Sequence, residues 1–309
     1  MSFNNLSDLR SARGNFDSLM KEVEKMNTSN FQSNNKDDGN IWKPTVDQAG
    51  NGYAVIRFLP APQGEDLPWV RMWNHGFQGP TGKWYIENSL TTLQQQDPVS
   101  ELNSELWNSG SDASKEIARK QKRRLAYYAN IVVVKDPANP DTEGKVYMYK
   151  FGKKIFDKIM EAMKPEFEDE SPLNPFDFWD GVNFKLKIRQ VEGYRNYDKS
   201  EFEQTPEAVA EGDEAIEAIW KQQHSLAEMV DPKNFKSYDE LKDKLTLVLG
   251  GKAVPAPASA QTGDVEDDLF VAKSKPTLVD SEPAEPVVTV SSSTDDDDAM
   301  SYFAKLAED

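Results

Sequence analysis

The sequence predicts an α+β protein with a mainly β core, preceded by a flexible N-terminal arm and followed by a disordered acidic C-terminal tail. In two central stretches, apolar residues either alternate with polar ones or form short β-branched runs, which is typical of strands. Apolar residues at helical spacing between and after these stretches indicate amphipathic helices. The segment from residue 252 onward is rich in Pro, Ala, Ser, Thr and acid. Such a composition cannot bury enough surface to fold.

Composition narrows the class of protein. A hydrophobic content of 38%, with seven Trp and fifteen Phe, is ample for a core. The absence of cysteine excludes disulfides, thiolate metal sites and cysteine nucleophiles. No apolar run is long enough for a membrane span, and no signal-peptide pattern opens the chain, so we expect a cytoplasmic protein.

Charge is distributed unevenly along the chain, whose net charge is −17. Residues 252–309 hold four Lys against thirteen acidic residues, a net −9, so over half of the excess lies in the tail. An acidic protein is an unusual nucleic-acid partner. The distribution therefore matters more than the sum.

The first forty residues are expected to form an arm of one helix and a linker. An apolar stripe from Phe16 to Met26 has helical spacing, and residues 27–40 are polar and rich in Asn and Ser. We place the core at residues 41–251 and the tail at 252–309. The core opens with a turn at Gly50-Asn51-Gly52 and a strand from Tyr53 to Leu59, which Pro60 ends.

The most informative stretch is basic. From Lys115 to Lys154 there are eleven Lys/Arg and four acids, about +7, interleaved with tyrosines. Cations neutralise phosphates and aromatic rings stack on unpaired bases, so this pattern favours single-stranded nucleic acid. The candidate DNA-binding residues here are Arg119, Lys120, Lys122, Arg123, Arg124, Tyr127, Tyr128, Tyr147, Tyr149, Lys153 and Lys154.

Strands are predicted within and after the basic stretch. A strand through Ile131–Val134 continues from Tyr127, and a returning strand covers Val146–Phe151. In VNFKLKIRQV (182–191), alternation predicts one buried apolar face and an exposed face that begins at Asn183. The candidate binding residues on and after this strand are Lys185, Lys187, Arg189, Tyr194, Arg195 and Tyr197.

Two helices and a terminal motif complete the prediction. A helical stripe runs from Ile155 to Met163, and Ser237 with Glu240 forms a capping box for a helix that Gly250 ends. At the end of the tail, four aspartates precede a short apolar stretch that could fold on a partner protein. The predicted docking residues are Asp295, Asp296, Asp297, Asp298, Tyr302, Phe303 and Leu306.

Several of these segments together resemble the helix-destabilising, single-stranded DNA-binding protein of T-even-type bacteriophages. The similarity covers roughly residues 40–250. It rests on segments that occur in the same order: DQAGNGYAVIRFLP (47–60), NHGF (74–77), GKWYIE (82–87), YYANIVVVKDP (127–137), EGKVYMYKFGKKIFDKI (143–159) and GVNFKLKIRQVEGYRNYD (181–198).

The resemblance implies an OB-fold-type barrel with helical additions, and cooperative, sequence-nonspecific coating of single strands in viral DNA replication, recombination and repair. It implies that Tyr127, Tyr149, Tyr194 and Tyr197 occupy positions of the strand-binding cleft. It assigns cooperativity to the N-terminal arm, here through Arg10 and Arg13. It also implies tail-docked replication proteins such as the polymerase, helicase loader and recombinase, in the host cytoplasm.

The chain departs from this family between His75 and Trp107, where members hold a zinc with one His and three Cys. His75 matches the histidine, but Ser89, Asp97 and Ser100 stand where the thiolates would be. Serine is a poor zinc ligand, so we expect no zinc and no other cofactor. The segment should pack through Leu90, Leu93, Leu102, Leu106 and Trp107, together with Trp73 and Trp84.

Other functions remain open on the sequence alone. Two distant histidines and no nucleophile motif argue against an enzyme, although a metal-dependent nuclease could assemble in three dimensions. A single-stranded RNA-binding protein fits the same pattern, because this pattern cannot exclude ribose. An acidic interaction protein whose basic centre binds its own tail is the remaining alternative.

Overall fold

The computed structural model describes residues 39–167, 170–191 and 193–251, and the fold is given for these. The predicted arm with Arg10 and Arg13 lies outside the described residues, and so does the tail. Within them, the strands are β1 Ile41–Trp42, β2 Gly52–Phe58, β3 Trp69–Gln78, β4 Trp84–Asn88, β5 Arg124–Lys135, β6 Val146–Phe151, β7 Phe184–Val191, β8 Tyr194–Asn196 and β9 Glu201–Phe202. The helices are α1 Pro98–Asn108, α2 Asp112–Gln121, α3 Lys153–Met163, α4 Asp213–Lys221 and α5 Tyr238–Leu249, with 3₁₀ turns at Leu90–Leu93, Pro140–Thr142 and Pro232–Asn234.

The sheet is organised around β5, its longest strand. Along one edge, β5 pairs antiparallel first with β3 and then with β2; along the other it pairs with β6. The path through the sheet runs β1-β6-β5-β2-β7-β8, with β4 added to β3 and β9 added to β7. The mixed α+β architecture with a sheet core is therefore confirmed.

The sheet does not close into a barrel. Strand β1 pairs only with β6 and β8 pairs only with β7, so the described strands leave two edges unpaired with each other. The expected OB-type barrel is instead an open, curled sheet. Unpaired edges matter for function because they offer backbone groups and flanking side chains to a ligand.

The main core lies on the concave side of this sheet. Strand residues such as Phe58, Ile131, Phe184 and Leu186 pack there against Ile155 and other apolar residues of α3. The predicted helix at 155–163 and the strands at 53–59, 127–134, 146–151 and 182–191 are confirmed. The capping box of Ser237 and Glu240 is confirmed as well.

One polar residue in the alternating strand region is not where the pattern predicts. Asn183 is buried, because it bonds Glu203 and the guanidinium of Arg57, which is itself 1% exposed. Arg57 also donates to the backbone carbonyls of Asp177 and Glu207, which fixes two loops against β2. Burial lowers the pKa of Arg57 to about 10, against the raising effect of Glu207, Asp177 and Glu203.

A second, smaller core joins the β3–β4 hairpin to α5. Leu90 and Leu93 are buried in it and Leu102 packs at its margin, as predicted. Trp107 and Trp84 are exceptions, with 45% and 57% of their surfaces exposed. Trp107 lies beneath the guanidinium of Arg119, 5.5 Å from the ring centroid. The prediction that both indoles are buried is therefore wrong.

Among the described helices, none is long and apolar enough to cross a membrane.

Candidate nucleic-acid interface

A cleft of about 530 Å³ opens where the two unpaired edges of the sheet approach each other. We call it the edge cleft. It is lined by Ile41, Trp42, Lys43, Pro44, Tyr128, Tyr149, Lys150, Arg195 and Tyr197. Four aromatic rings and three cations therefore face one space, and among the described residues no carboxylate lines it.

One wall of the edge cleft is set by the short parallel pairing of β1 with β6. Trp42 lies opposite Tyr149 in register, and the two rings meet edge to face with centroids 5.4 Å apart. The indole nitrogen of Trp42 donates to Asp136 Oδ2 at 3.1 Å, a buried bond that fixes the strand. Lys43 follows directly and is thereby held at the cleft.

The other wall comes from β8 and the residue that follows it. Arg195 is exposed on β8, and Tyr197 lies just beyond the strand, partly packed on the main core. Tyr194, at the start of β8, is 42% exposed. Tyr194 is thus the most accessible of the predicted rings, and Tyr197 is half-buried.

The deeper rings of the edge cleft are mostly covered. Trp42, Tyr128 and Tyr149 are each below 5% exposed, so only small parts of them reach the cleft. Lys150 Nζ lies 5.6 Å from the ring centroid of Tyr128. Burial raises the pKa of Tyr149 well above its ordinary value, Tyr197 adds to this effect and Arg195 opposes it. The Tyr149 phenol therefore keeps its proton and remains a hydrogen-bond donor.

Three cations lie around Asp198, the residue after Tyr197. A hydrogen bond from Asn196 lowers the pKa of Asp198, desolvation opposes this shift, and the nearby Lys154, Arg189 and Lys158 lower the pKa further. Lys158 Nζ also donates to the Asp198 carbonyl at 3.3 Å. A carboxylate among three cations beside the edge cleft marks a locally positive surface in an acidic chain.

Tyr127 and Tyr147 lie apart from the cleft lining. The ring of Tyr127 is 5% exposed and stacks on Phe156 with centroids 4.0 Å apart and on Phe151 at 5.7 Å. Tyr147 packs at the margin of the same core. The predicted alternation of β6 is correct, but the tyrosine side of that strand faces the core. In this arrangement Tyr127 has no open face for a base.

The basic row of β7 is matched by one acid on β9 and one directly after it. Lys185 lies 3.0 Å from Glu203, and Lys187 lies 2.6 Å from Glu201. Hydrogen bonding to Glu203 raises the pKa of Lys185, and the bonds from Lys187 and Lys185 lower the pKa values of Glu201 and Glu203 respectively. Of this predicted row, Arg189 is the exposed member near Asp198.

The remaining predicted cations lie on α2, at the start of β5 and on α3. Arg119 pairs with Glu116 on the exposed side of α2, where Lys120 is also exposed. Lys122 caps α2, and Arg123 and Arg124 follow, with Arg123 4.1 Å from the ring centroid of Trp73. Lys153 pairs with Asp157 at 3.0 Å. None of these side chains lines the edge cleft.

The sequence analysis missed several residues in and beside the edge cleft, for two different reasons. Trp42 lies in a two-residue strand far along the chain from β6 and Lys43 follows it, so only the parallel pairing brings these residues to the cleft. Lys150 in the cleft lining and Lys158 near Asp198 lie within or next to the basic stretch and could have been found from its charge. The predicted cooperativity residues and docking residues lie outside the described residues.

The relatives found by comparison with known proteins are single-stranded DNA-binding proteins of phages. Residues 50–249 match the family described as gp32 DNA binding protein like. The chain is 40% identical to the single-stranded DNA-binding protein of Enterobacteria phage T4 over 263 residues, 81% of this chain and 84% of the relative. It is 40% identical to that of Enterobacteria phage T2 over 252 residues, 79% of this chain and 81% of the relative. A match to that of Escherichia phage SV14 is 46% identical over 71 residues, 23% of this chain and 59% of the relative.

Proposed function

The chain belongs to the gp32 DNA binding protein like family, and from this premise we propose that it binds single-stranded DNA without sequence preference in the edge cleft. The observation that carries the proposal is the meeting of aromatic rings and cations at the two open edges of the sheet. Rings stack on any base, and cations neutralise phosphates irrespective of sequence. The combination therefore supports affinity without base reading.

The exposure and position of each side chain indicate its proposed role in binding DNA. Tyr197 and Tyr194 offer accessible ring surface and serve as stacking platforms. Lys43, Lys150 and Arg195 line the space beside Tyr197, where a phosphate backbone would pass. Tyr149 donates a hydrogen bond from its neutral phenol. The proposed role is binding, and we assign no catalytic step to the cleft, whose lining among the described residues has neither carboxylate nor histidine.

In the cell, the proposed role is to coat exposed strands during viral DNA replication, recombination and repair, in the host cytoplasm. The names of the phage relatives support single-strand binding. Cooperative arrays through Arg10 and Arg13 belong to the same proposal. So does docking of polymerase, helicase loader and recombinase on the tail, through residues 295–298, Tyr302, Phe303 and Leu306.

A competition titration tests the proposed ligand. The full chain is bound to a labelled single-stranded oligonucleotide, and unlabelled single-stranded DNA, single-stranded RNA and duplex DNA of equal length compete at one salt concentration. Single-stranded DNA should compete best and duplex worst. Equal competition by RNA would favour the RNA-binding alternative, and no displacement by any competitor would contradict binding of this kind.

A further inference from the structure

The four positions that stand for the zinc ligands of the family meet in the structure around one carboxylate. His75 lies on β3, Ser89 precedes the 3₁₀ turn, Asp97 caps α1 and Ser100 lies in its first turn. His75 and Asp97 are each 1% exposed, and Ser89 is fully buried. The segment therefore keeps the geometry of a shared centre without the thiolates.

The Asp97 carboxylate uses both oxygens on protein donors. Oδ2 accepts from Ser89 Oγ at 2.8 Å and from the Leu90 backbone N–H at 3.0 Å. Oδ1 accepts from the backbone N–H groups of Val99 at 3.0 Å and Ser100 at 3.1 Å. An ionised carboxylate offers about four acceptor sites, so these four donors satisfy it.

His75 extends this network to α2. Its Nδ1 donates to the Gln121 carbonyl at 3.0 Å, since a carbonyl oxygen can only accept. Its Nε2 lies 3.3 Å from Asp97 Oδ1, outside hydrogen-bond geometry, and this contact is an ion pair when the imidazole is protonated. Gln121 is the last residue of α2, so the network ends directly before Lys122.

These residues do not fit a zinc ion. A structural zinc takes four ligands, mostly thiolate and imidazole. Here Ser89 donates its hydroxyl proton to Asp97, and the lone pairs of Asp97 are already occupied. Across the described residues, no group of three or more His, Asp or Glu side chains could hold a metal.

We infer that the Asp97 carboxylate replaces the zinc of the family as the centre that joins this part of the fold. In place of metal–ligand bonds, it ties β3, the 3₁₀ turn and α1 together through buried hydrogen bonds. Through His75 it also positions the end of α2. The protein therefore folds without zinc, and its stability depends on Asp97 where that of a zinc protein depends on the ion.

The first test compares two aspartates in the same local motif. Asp97-Pro98 and Asp231-Pro232 each place an Asp N-cap before a Pro that opens a helical turn, but the Asp231 carboxylate is only partly buried and binds Lys233. Asp97→Asn should lower the melting temperature of the full chain by about 10 °C, because a buried, hydrogen-bonded charge is lost. Asp231→Asn should lower it by at most a few degrees. Equal melting temperatures of Asp97→Asn and wild type would overturn the inference.

The second test measures the metal and does not depend on a variant that folds. Wild-type protein purified without chelator should contain far less than one zinc per chain, and EDTA should leave its melting temperature unchanged. About one zinc per chain, with a lower melting temperature after chelation, would overturn the inference.

A third variant tests the correspondence of positions. Combining Ser89→Cys, Asp97→Cys and Ser100→Cys beside His75 rebuilds the ligand set of the family. This chain should take up about one zinc, and EDTA should then lower its melting temperature. A folded triple variant that binds no zinc would overturn the correspondence on which the inference rests. An insoluble triple variant that zinc in the growth medium makes soluble would support it.

Discussion

Tyr127 and Tyr197 are the same residue type in two different settings. Tyr127 belongs to β5, and its ring packs against α3 by stacking on Phe156, so its aromatic surface stabilises the core. Tyr197 lines the edge cleft and keeps part of its surface accessible. A ring stacks on a base only where one of its faces can be reached. Burial, more than identity, therefore separates structural from binding tyrosines in this chain.

Substitution of these two tyrosines should have opposite main effects. Tyr197→Ala should weaken binding of single-stranded DNA by about 1–3 kcal/mol, because one stacking surface is lost. Tyr197→Phe should keep most of the affinity. Tyr127→Ala should instead lower the free energy of unfolding by about 3–5 kcal/mol. Binding isotherms and denaturant titrations of the three variants check this. Wild-type affinity in Tyr197→Ala would contradict the assigned role.

Lysines also differ in their setting, because some line the edge cleft and others pair with an acidic side chain. Lys43 lines the edge cleft, whereas Lys185 is held against Glu203, the residue after β9. Lys43→Ala should reduce the slope of log K against log salt by about 0.7, the value for one phosphate contact on a single strand. Lys185→Ala is the matched control and should leave that slope unchanged. A reduced slope in Lys185→Ala alone would move the phosphate path from the edge cleft to β7.

At the scale of elements, β7 and β9 form a small charged ladder. Lys187 and Lys185 hydrogen-bond Glu201 and Glu203 and lower the pKa values of both carboxyl groups. Glu201 is exposed and Glu203 is half-buried, so solvent screening keeps the contribution of the two pairs small at neutral pH. Their contribution has a definite sign with pH. It is present above the pKa values of the unfolded chain and is lost as pH falls through the lowered folded values.

The ladder predicts an acid dependence that substitution should remove. Between about pH 5 and pH 3, wild-type protein should lose more stability than the double variant Glu201→Gln with Glu203→Gln. Denaturant midpoints at several pH values measure the difference. Glu211→Gln, at an exposed position outside the ladder, should follow wild type. Parallel curves for wild type and the double variant would show that the ion pairs do not form in solution.

Local patterns predicted most elements but not the cleft. Alternation identified β7, and the capping box identified α5, because both signals lie within a few neighbouring residues. The pairing of Trp42 with Tyr149 joins residues more than a hundred positions apart, and no local pattern specifies it. The exposure of Trp107 also escaped prediction, since an indole can be stabilised by an arginine instead of by burial.

At the scale of the whole molecule, the topology of the described sheet and the distribution of charge both indicate the edge cleft as the candidate binding site. The described strands leave two edges of the sheet open, and the edge cleft between them combines the partly accessible ring of Tyr197 with Lys43, Lys150 and Arg195. This positive surface belongs to a chain of net charge −17, of which −9 lies in residues 252–309. The acidic balance of the chain therefore says little about the ligand of the core.

Photocrosslinking tests most directly whether single-stranded DNA lies in the edge cleft. A single-stranded oligonucleotide carrying a halogenated uracil is bound to the full chain, irradiated and digested, and the linked peptides are identified by mass spectrometry. Halogenated bases link to rings on which they stack. Links are expected at Tyr197, which lines the cleft, and at Tyr194 on the adjoining strand β8. Links confined to Trp84 and Trp107, which are more exposed than these tyrosines but lie away from the cleft, would contradict binding there.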